Sequence, residues 1–382
     1  MSSTFGDGDF DVVCCSLEDW DDVWRRNQFL VREILKRRPG LRILFVEPPV
    51  DVLWSGLHEK RIPPSGTRTI VGFEGVAAYR PRKWLPRRLA PGVDRRLSRR
   101  VEVRAERLGL RRPVLWLNDN SYAELAERTG WPVLYDITDD WTLALRSHRE
   151  TERQRTNDRR VMRLADEVIV CSPALAATRG ASRPVRLIPN GVDVEHFQTA
   201  RERPCDLPGG KVVLYTGTLA LDRLDIDLCE DLARNLPGDA TLVFVGPNAC
   251  PPLVTKRLVE SGAVFLGARP YADIPGYMQH AGVIVVPHAV TPFTESLDPI
   301  KAREVLAAGR PCVATPVAGF RDLGEPVIVA TRQAFVATVI EALKSDSEGR
   351  SRRVELAQAD VSWGARAAEF IAALDRAALR RP

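Results

Sequence analysis

Hydrophobic residues recur along this chain in two patterns, short solid runs and runs spaced three or four positions apart. Asp11–Ser16 (DVVCCS) is apolar almost throughout, the right length for a strand buried on both faces. The loop SLEDWDD follows, and Val23–Arg37 then places Phe29, Leu30 and Ile34 on one side of a helix. Leu41–Val46 is a second solid run, closed by Glu47-Pro48-Pro49. Val114–Leu117, Val133–Asp136 and Val168–Cys171 repeat the strand signature. A second block does the same with Lys211–Tyr215, Thr241–Val245, Val264–Gly267, Val283–Pro287, Pro311–Thr315 and Val327–Val329. Solid strands alternating with helices predict parallel sheets covered on both faces. The class expected is α/β, as two doubly wound Rossmann-like domains facing across a cleft. Ile188–Asp193 (IPNGVD) is a turn-rich hinge between the blocks, and the tail Gln333–Leu379 is mostly helical with a break near Ser362-Trp363-Gly364. The expected division is residues 1–187, a linker at 188–208, a second domain at 209–360, and a helix at 361–382 returning towards the first domain.

The richest stretch is Thr294–Thr315, TESLDPIKAREVLAAGRPCVAT. It predicts a loop, a short helix, a stop and a strand. Asp298 is placed to be the helix N-cap with Pro299 at the first helical position. Ala302 to Ala308 are good helix formers, Gly309 suits a left-handed C-cap, and Pro311 blocks continuation. The start of such a helix offers unpaired N–H groups and the positive end of its dipole to an anion. Lys301 adds a full charge in the first turn, and Glu304 lies one turn along the same face. A diphosphate attached to a hydroxyl-rich ring would use all three features; a solvated lysine on an ordinary α/β helix is the bland alternative.

Composition narrows the class. A chain of 382 residues, 45% hydrophobic and 27% charged, fits two ordinary globular domains. No apolar run approaches the ~20 residues that span a bilayer, and MSSTFGDGDF shows no secretory pattern, so the expected location is cytoplasmic. Seven scattered cysteines form neither a disulfide framework nor a metal-ligand spacing, and no metal or cofactor is expected. The net charge of +5 is weak evidence for a polyanionic partner, and no nucleic-acid motif accompanies it. No GxGxxG follows the first strand, which argues against a nicotinamide dinucleotide.

Several motifs together carry a resemblance. The hinge IPNGVDVEHF (Ile188–Phe197) is followed in order by LYTGTL, FVGP, FLGARPYADIPGYMQHAGVIVVPH and DPIKAREVLAAGRPCVAT. In this the chain resembles the nucleotide-sugar glycosyltransferases of the two-domain GT-B type, close to family 4, over nearly its whole length. VLWLNDN, VLYDITDDW and ADEVIVCSPAL resemble more narrowly the bacterial exopolysaccharide and teichuronic-acid-type transferases, including the xanthan glucuronosyltransferase. The resemblance implies that the N-terminal domain binds the acceptor and the C-terminal domain a nucleotide-sugar, most readily UDP-linked, without a metal. Many retaining members carry a Glu-x7-Glu pair; here Ser296 stands eight residues before Glu304, with Glu295 one position out of register. The narrower resemblance favours inversion by a carboxylate base. An isomerase of the UDP-sugar 2-epimerase kind and a catalytically silent partner protein are the alternatives.

The donor-binding candidates are Gly217 and Thr218 after one strand, Arg223 in the following loop, Gly246 after the next, His288, Ser296, Lys301 and Glu304. The base is expected in the loop after Val133–Asp136, where Asp139 and Asp140 are adjacent. Asp140, just before Trp141, is the better cap for a following helix, which leaves Asp139 as the base and Asp140 as its alternative. Arg80–Arg112 contains paired arginines at 87–88, 95–96, 99–100 and 111–112, with Val93, Leu97, Val101, Ala105 and Leu108 at helical spacing. With Trp84-Leu85 beside it, this stretch suits an anionic membrane leaflet and a lipid-linked acceptor, or else is an arginine-rich helix packed on its own domain.

Overall fold

The solid apolar runs form the interior strands of two sheets. The structure, a computed structural model, describes residues 10–56, 63–84, 87, 92–324, 327–344 and 362–380. In the first part of the chain lie β1 (Val12–Cys15), β2 (Ile43–Val46), β3 (Val50–Asp51), β4 (Gly66–Thr69), β5 (Val76–Arg80), β6 (Arg82–Lys83), β7 (Val114–Leu117), β8 (Val133–Ile137), β9 (Glu167–Val170) and β10 (Arg186–Leu187). Eight of them make one sheet in the order β10-β9-β8-β7-β1-β2-β5-β4, while β3 and β6 pair separately. Every pairing in the large sheet is parallel except β4 with β5. That antiparallel edge has no counterpart in the sequence reading, because Gly66–Thr69 (GTRT) is mostly exposed and shows no apolar run.

The second sheet contains β11 (Lys211–Thr216), β12 (Ala240–Val245), β13 (Val264–Gly267), β14 (Val283–Val286), β15 (Cys312–Ala314) and β16 (Ile328–Val329). It is all parallel, in the order β13-β12-β11-β14-β15-β16. Each sheet is covered on both faces by apolar side chains, so Cys14 and Cys15 are simply small core residues on opposite faces of β1. In both sheets the chain winds first to one side and then to the other. The reversal falls between β1 and β7 in the first sheet and between β11 and β14 in the second. Ligands of doubly wound folds bind beyond the carboxyl ends of the strands at such reversals.

The last helix, Trp363–Arg380, leaves the second domain and packs on helix Arg26–Arg37 of the first. Trp363 stacks on Phe29 with ring centroids 4.7 Å apart, and Arg38 holds Asp375 through two contacts of 2.7 Å. The helix expected from Val23 begins at Arg26, because Arg25 is extended and Gln28 folds back to accept from its amide. Residues 1–9, Leu85, Arg88 and 345–361, including the expected domain limit at 360, lie outside the described residues.

The two crossings between domains touch each other. Val192 bridges Ser362, and a β-carbon on Gly191 would lie 2.7 Å from the Trp363 amide nitrogen. That neighbour is backbone and cannot swing aside. Gly191→Ala is therefore expected to cost about 1–3 kcal/mol, the scale of overpacking, read as a lower melting temperature.

Candidate active site

The carboxyl ends of the two sheets face each other across a cavity of about 360 Å³. One wall comes from the first domain: Glu18 after β1, Asn118 after β7, Thr138 and Asp139 after β8, and Arg25, Arg26 and Asn27 at the start of the first long helix. The other wall comes from Gly217, Thr218 and Arg223 after β11, Gly246 and Pro247 after β12, His288 after β14, and Lys301 and Glu304 on helix Ile300–Ala308.

Glycine is required on this second wall by close approach. Gly217 and Gly246 have φ of 120° and 150°, and a β-carbon on Gly217 would overlap the Lys301 ammonium end. The backbone thereby lets Lys301 lie flat across the end of β11. Its Nζ donates to Tyr215 Oη at 3.3 Å and sits 4.6 Å above that ring. No carboxylate among the described residues forms an ion pair with it. Burial, with repulsion from Arg223, pushes the Lys301 ammonium down to about 7; Glu304 opposes the shift. Burial likewise raises the Glu304 carboxyl to about 7 against the pull of Lys301. His288 is buried, and burial together with Lys301 and Arg223 holds it well below its ordinary value, hence neutral.

Across the cavity, burial raises the Asp139 carboxyl, opposed by the Arg223 guanidinium, whose Nη2 is 4.0 Å from Asp139 Oδ2. Partial withdrawal from water raises Glu18 to about 7, with Arg25 opposing and Asp139 adding. Asp140 points the other way. Its carboxylate accepts from Thr142 Oγ1 at 2.6 Å and pairs with Arg179 at 3.1 Å. The residues after it form turns rather than the helix expected, so Asp140 braces the loop instead of capping a helix.

Two further expectations are corrected. Ser296 does not line the cavity; its hydroxyl accepts from the Asp140 amide at 3.2 Å and its carbonyl accepts from Ser172 Oγ at 2.7 Å. It stitches the domains together. Pro299, not Asp298, occupies the N-cap position, with no side-chain cap bond. Asp298 instead accepts from the Asn190 amide at 2.6 Å and pairs with Arg303 at 2.8 Å, tying the helix to the hinge. Glu295 is turned away to Arg321 at 2.7 Å.

Sequence reasoning passed over Glu18, Asn27, Asp222 and Tyr271. The position of Glu18 just after the first strand of the sheet was the available signal; the others carry none. The cavity also gathers orphaned polar atoms: Asn27 Oδ1, Trp141 Nε1, Thr216 Oγ1, Asp222 Oδ1 and Tyr271 Oη are buried without hydrogen-bond partners. Such atoms are rare in native proteins, and here five of them belong to residues that line one cavity.

Residues 210–345 match the family of glycosyl transferases group 1. That stretch contains the whole of the second sheet, β11 to β16. TuaH of Bacillus subtilis (strain 168), a protein named for glycosyl transfer in teichuronic acid biosynthesis, is 26% identical over 233 residues, 56% of this chain. That alignment spans 58% of the TuaH length. Sucrose-phosphate synthase from Thermosynechococcus elongatus superposes with a TM-score of 0.70 at 18% identity, covering 95% of this chain and 98% of that one. HepE of Anabaena, solved with UDP and glucose, gives 0.66 at 16% identity over 96% and 99%. The UDP-forming trehalose-phosphate synthase of Burkholderia vietnamiensis gives 0.67 at 14% identity over 97% and 99%. The fold of the chain is thus GT-B, and the stretch that matches the group 1 family forms the wall that carries Lys301 and Glu304.

Proposed function

We propose that this chain transfers a sugar from a UDP-linked donor to an acceptor hydroxyl. The observation that carries the proposal is one cavity that sets Lys301 and Arg223 at the strand ends of the second domain opposite Asp139 and Glu18 at those of the first, with Arg25, Arg26 and Glu304 also on its walls. A diphosphate lying over Gly217 and Thr218 meets the amino end of helix Ile300–Ala308, the Lys301 ammonium and the Arg223 guanidinium. Glu304 and Tyr271 Oη take donor hydroxyls, and neutral His288 offers a hydrogen bond to the sugar or phosphate. The complexes of HepE with UDP and with UDP-glucose support a UDP donor.

Asp139 serves as general base. It takes the proton of the acceptor hydroxyl as that oxygen bonds to the anomeric carbon, while the bond from that carbon to the phosphate oxygen breaks. UDP departs with the electron pair, its charge met by Lys301 and Arg223. A single displacement inverts the anomeric centre. Support for inversion comes from Glu295, which pairs with Arg321 and leaves the donor side without that carboxylate. Because two cations meet the diphosphate, the reaction needs no metal, and EDTA should leave the rate unchanged. Thermal-shift screening of UDP-sugars followed by NMR of the product linkage tests the reading. Stabilisation by none of them, or retained configuration, counts against it.

A separate surface of the first domain supports contact with an anionic membrane. On helix Val93–Arg107, Arg96, Arg99, Arg100, Arg104 and Arg107 line a groove of about 420 Å³ over Tyr79. Asp94 and Glu102 of the same helix are taken by Arg87 and Arg128. Trp84 nearby is 59% exposed, while Leu85 lies outside the described residues. Arginines at an anionic leaflet contribute about 1 kcal/mol each. Reversing Arg96, Arg99, Arg100 and Arg107 to glutamate should weaken binding to vesicles containing phosphatidylglycerol by at least about 100-fold. Equal binding to pure phosphatidylcholine vesicles would remove the electrostatic basis.

A further inference from the structure

The loop after β1 is anchored far more firmly than a connecting loop requires. The Glu18 amide donates to Ser16 Oγ at 3.0 Å and the Trp20 amide to Glu47 Oε1 at 2.9 Å. Arg68 donates to the Trp20 carbonyl at 2.9 Å, and Arg80 pairs with Asp19 at 2.9 Å. The Trp20 ring is held with its centroid 5.0 Å from both Phe45 and Phe73. Glu47, fully buried, is the hub that binds both arginines.

From this frame Glu18 reaches the cavity. Its carboxyl makes no hydrogen bond among the described residues. The Arg25 Nε stands 3.7 Å away, and that guanidinium is already committed to Asp21 at 3.0 Å and the Val23 carbonyl at 2.9 Å. Beside it Asn27, 2% exposed, spends its amide nitrogen on Ser16 and Asn118 and leaves its oxygen unpartnered. Rigid support of a carboxyl that makes no hydrogen bond among the described residues is the arrangement a binding site needs.

We infer that Glu18 binds the acceptor, and that the acceptor is a neutral sugar ring. The inference rests on the transferase reading above. Glu18, Asp139 and the Asn27 oxygen present hydrogen-bond acceptors, two of them acidic, and a polyhydroxyl ring supplies the O–H donors they lack. An acidic ring would meet repulsion from Glu18 and Asp139, whose nearest guanidiniums are already paired with them, Arg25 at 3.7 Å and Arg223 at 4.0 Å. One hydroxyl attacks from Asp139 while another is held by Glu18.

The test is transfer from the UDP-sugar that the wild-type chain turns over, with octyl β-D-glucopyranoside and octyl β-D-glucuronide as acceptors. The neutral glycoside is expected to have a KM at least tenfold lower. Glu18→Ala should raise that KM tenfold or more while kcat changes less than threefold. Glu18→Gln should keep the KM within threefold and lose most of the discrimination against the glucuronide, which a merely structural role would not change. No transfer to either glycoside, an unchanged KM in Glu18→Ala, or unchanged discrimination in Glu18→Gln overturns the inference. UDP calorimetry separates the two levels. Failure of the wild-type chain to bind UDP sinks the transferase reading itself, whereas wild-type UDP affinity alongside those outcomes sinks the role of Glu18 alone.

Discussion

Asp139→Asn is expected to lower kcat by roughly 10²–10⁴, the range for loss of a general base, while UDP affinity and melting temperature stay close to wild type. The carboxylate lies just beyond the carboxyl end of β8 and lines the cavity, and its one ion pair among the described residues is the 4.0 Å contact with Arg223. Asparagine keeps the shape and removes the proton acceptor. Burial raises the Asp139 carboxyl, so the rate should climb as pH rises through that elevated value and the base becomes ionised. The neighbouring substitution separates chemistry from structure. Asp140→Asn loses the Arg179 pair, but Arg179 retains Asp158 at 2.7 Å. Its cost should be one charge-assisted contact, about 1.5–3 kcal/mol, seen in stability more than in kcat. High activity in Asp139→Asn with loss in Asp140→Asn would move the base by one residue. Activity in both would place it elsewhere and undercut inversion.

Lys301→Ala should weaken UDP binding by about 1.5–3 kcal/mol, the scale of a hydrogen bond to a charged group. The fold should hold, since among the described residues Lys301 forms no ion pair and its hydrogen bond is to Tyr215. A pH signature goes with it. Burial and the Arg223 charge push the Lys301 ammonium down to about 7, and a bound diphosphate pulls it back up. Below pH 7 the lysine is already charged and binding is strongest. As pH rises above 7, binding must take up a proton, so affinity falls. Calorimetry in buffers of different ionisation enthalpy should show proton uptake near pH 8 for the wild-type chain and not for Lys301→Ala. Equal UDP affinity in the two proteins would remove Lys301 from the site.

The elements that local pattern defines were legible without a structure. β1, β2, β7, β8 and the strands of the second sheet are solid apolar runs because both faces of each sheet are buried, and such runs have little other use in a protein of this composition. The left-handed Gly309 stop after helix Ile300–Ala308 was equally local. The exposed edge strand Gly66–Thr69 was not, since its pairing depends on β5 rather than on its own side chains.

For the site, the sequence by itself determined which loops follow the strand ends, and therefore a short roster of residues able to stand there. Only the tertiary structure decided where each side chain goes. Adjacent Asp139 and Asp140 diverge because Arg179, brought up on helix Pro173–Gly180, captures the second. Asp298 leaves its expected cap because the hinge amide of Asn190 lies within 2.6 Å, and Ser296 is spent joining the domains. Glu18 is the converse case, a plain loop carboxylate until Glu47, Arg68 and Arg80 clamp its neighbours. Partners in these contacts are separated by up to 156 residues along the chain. Propensity and spacing act over a few residues, so competition between distant partners for one polar group is settled only when the two domains fold and meet.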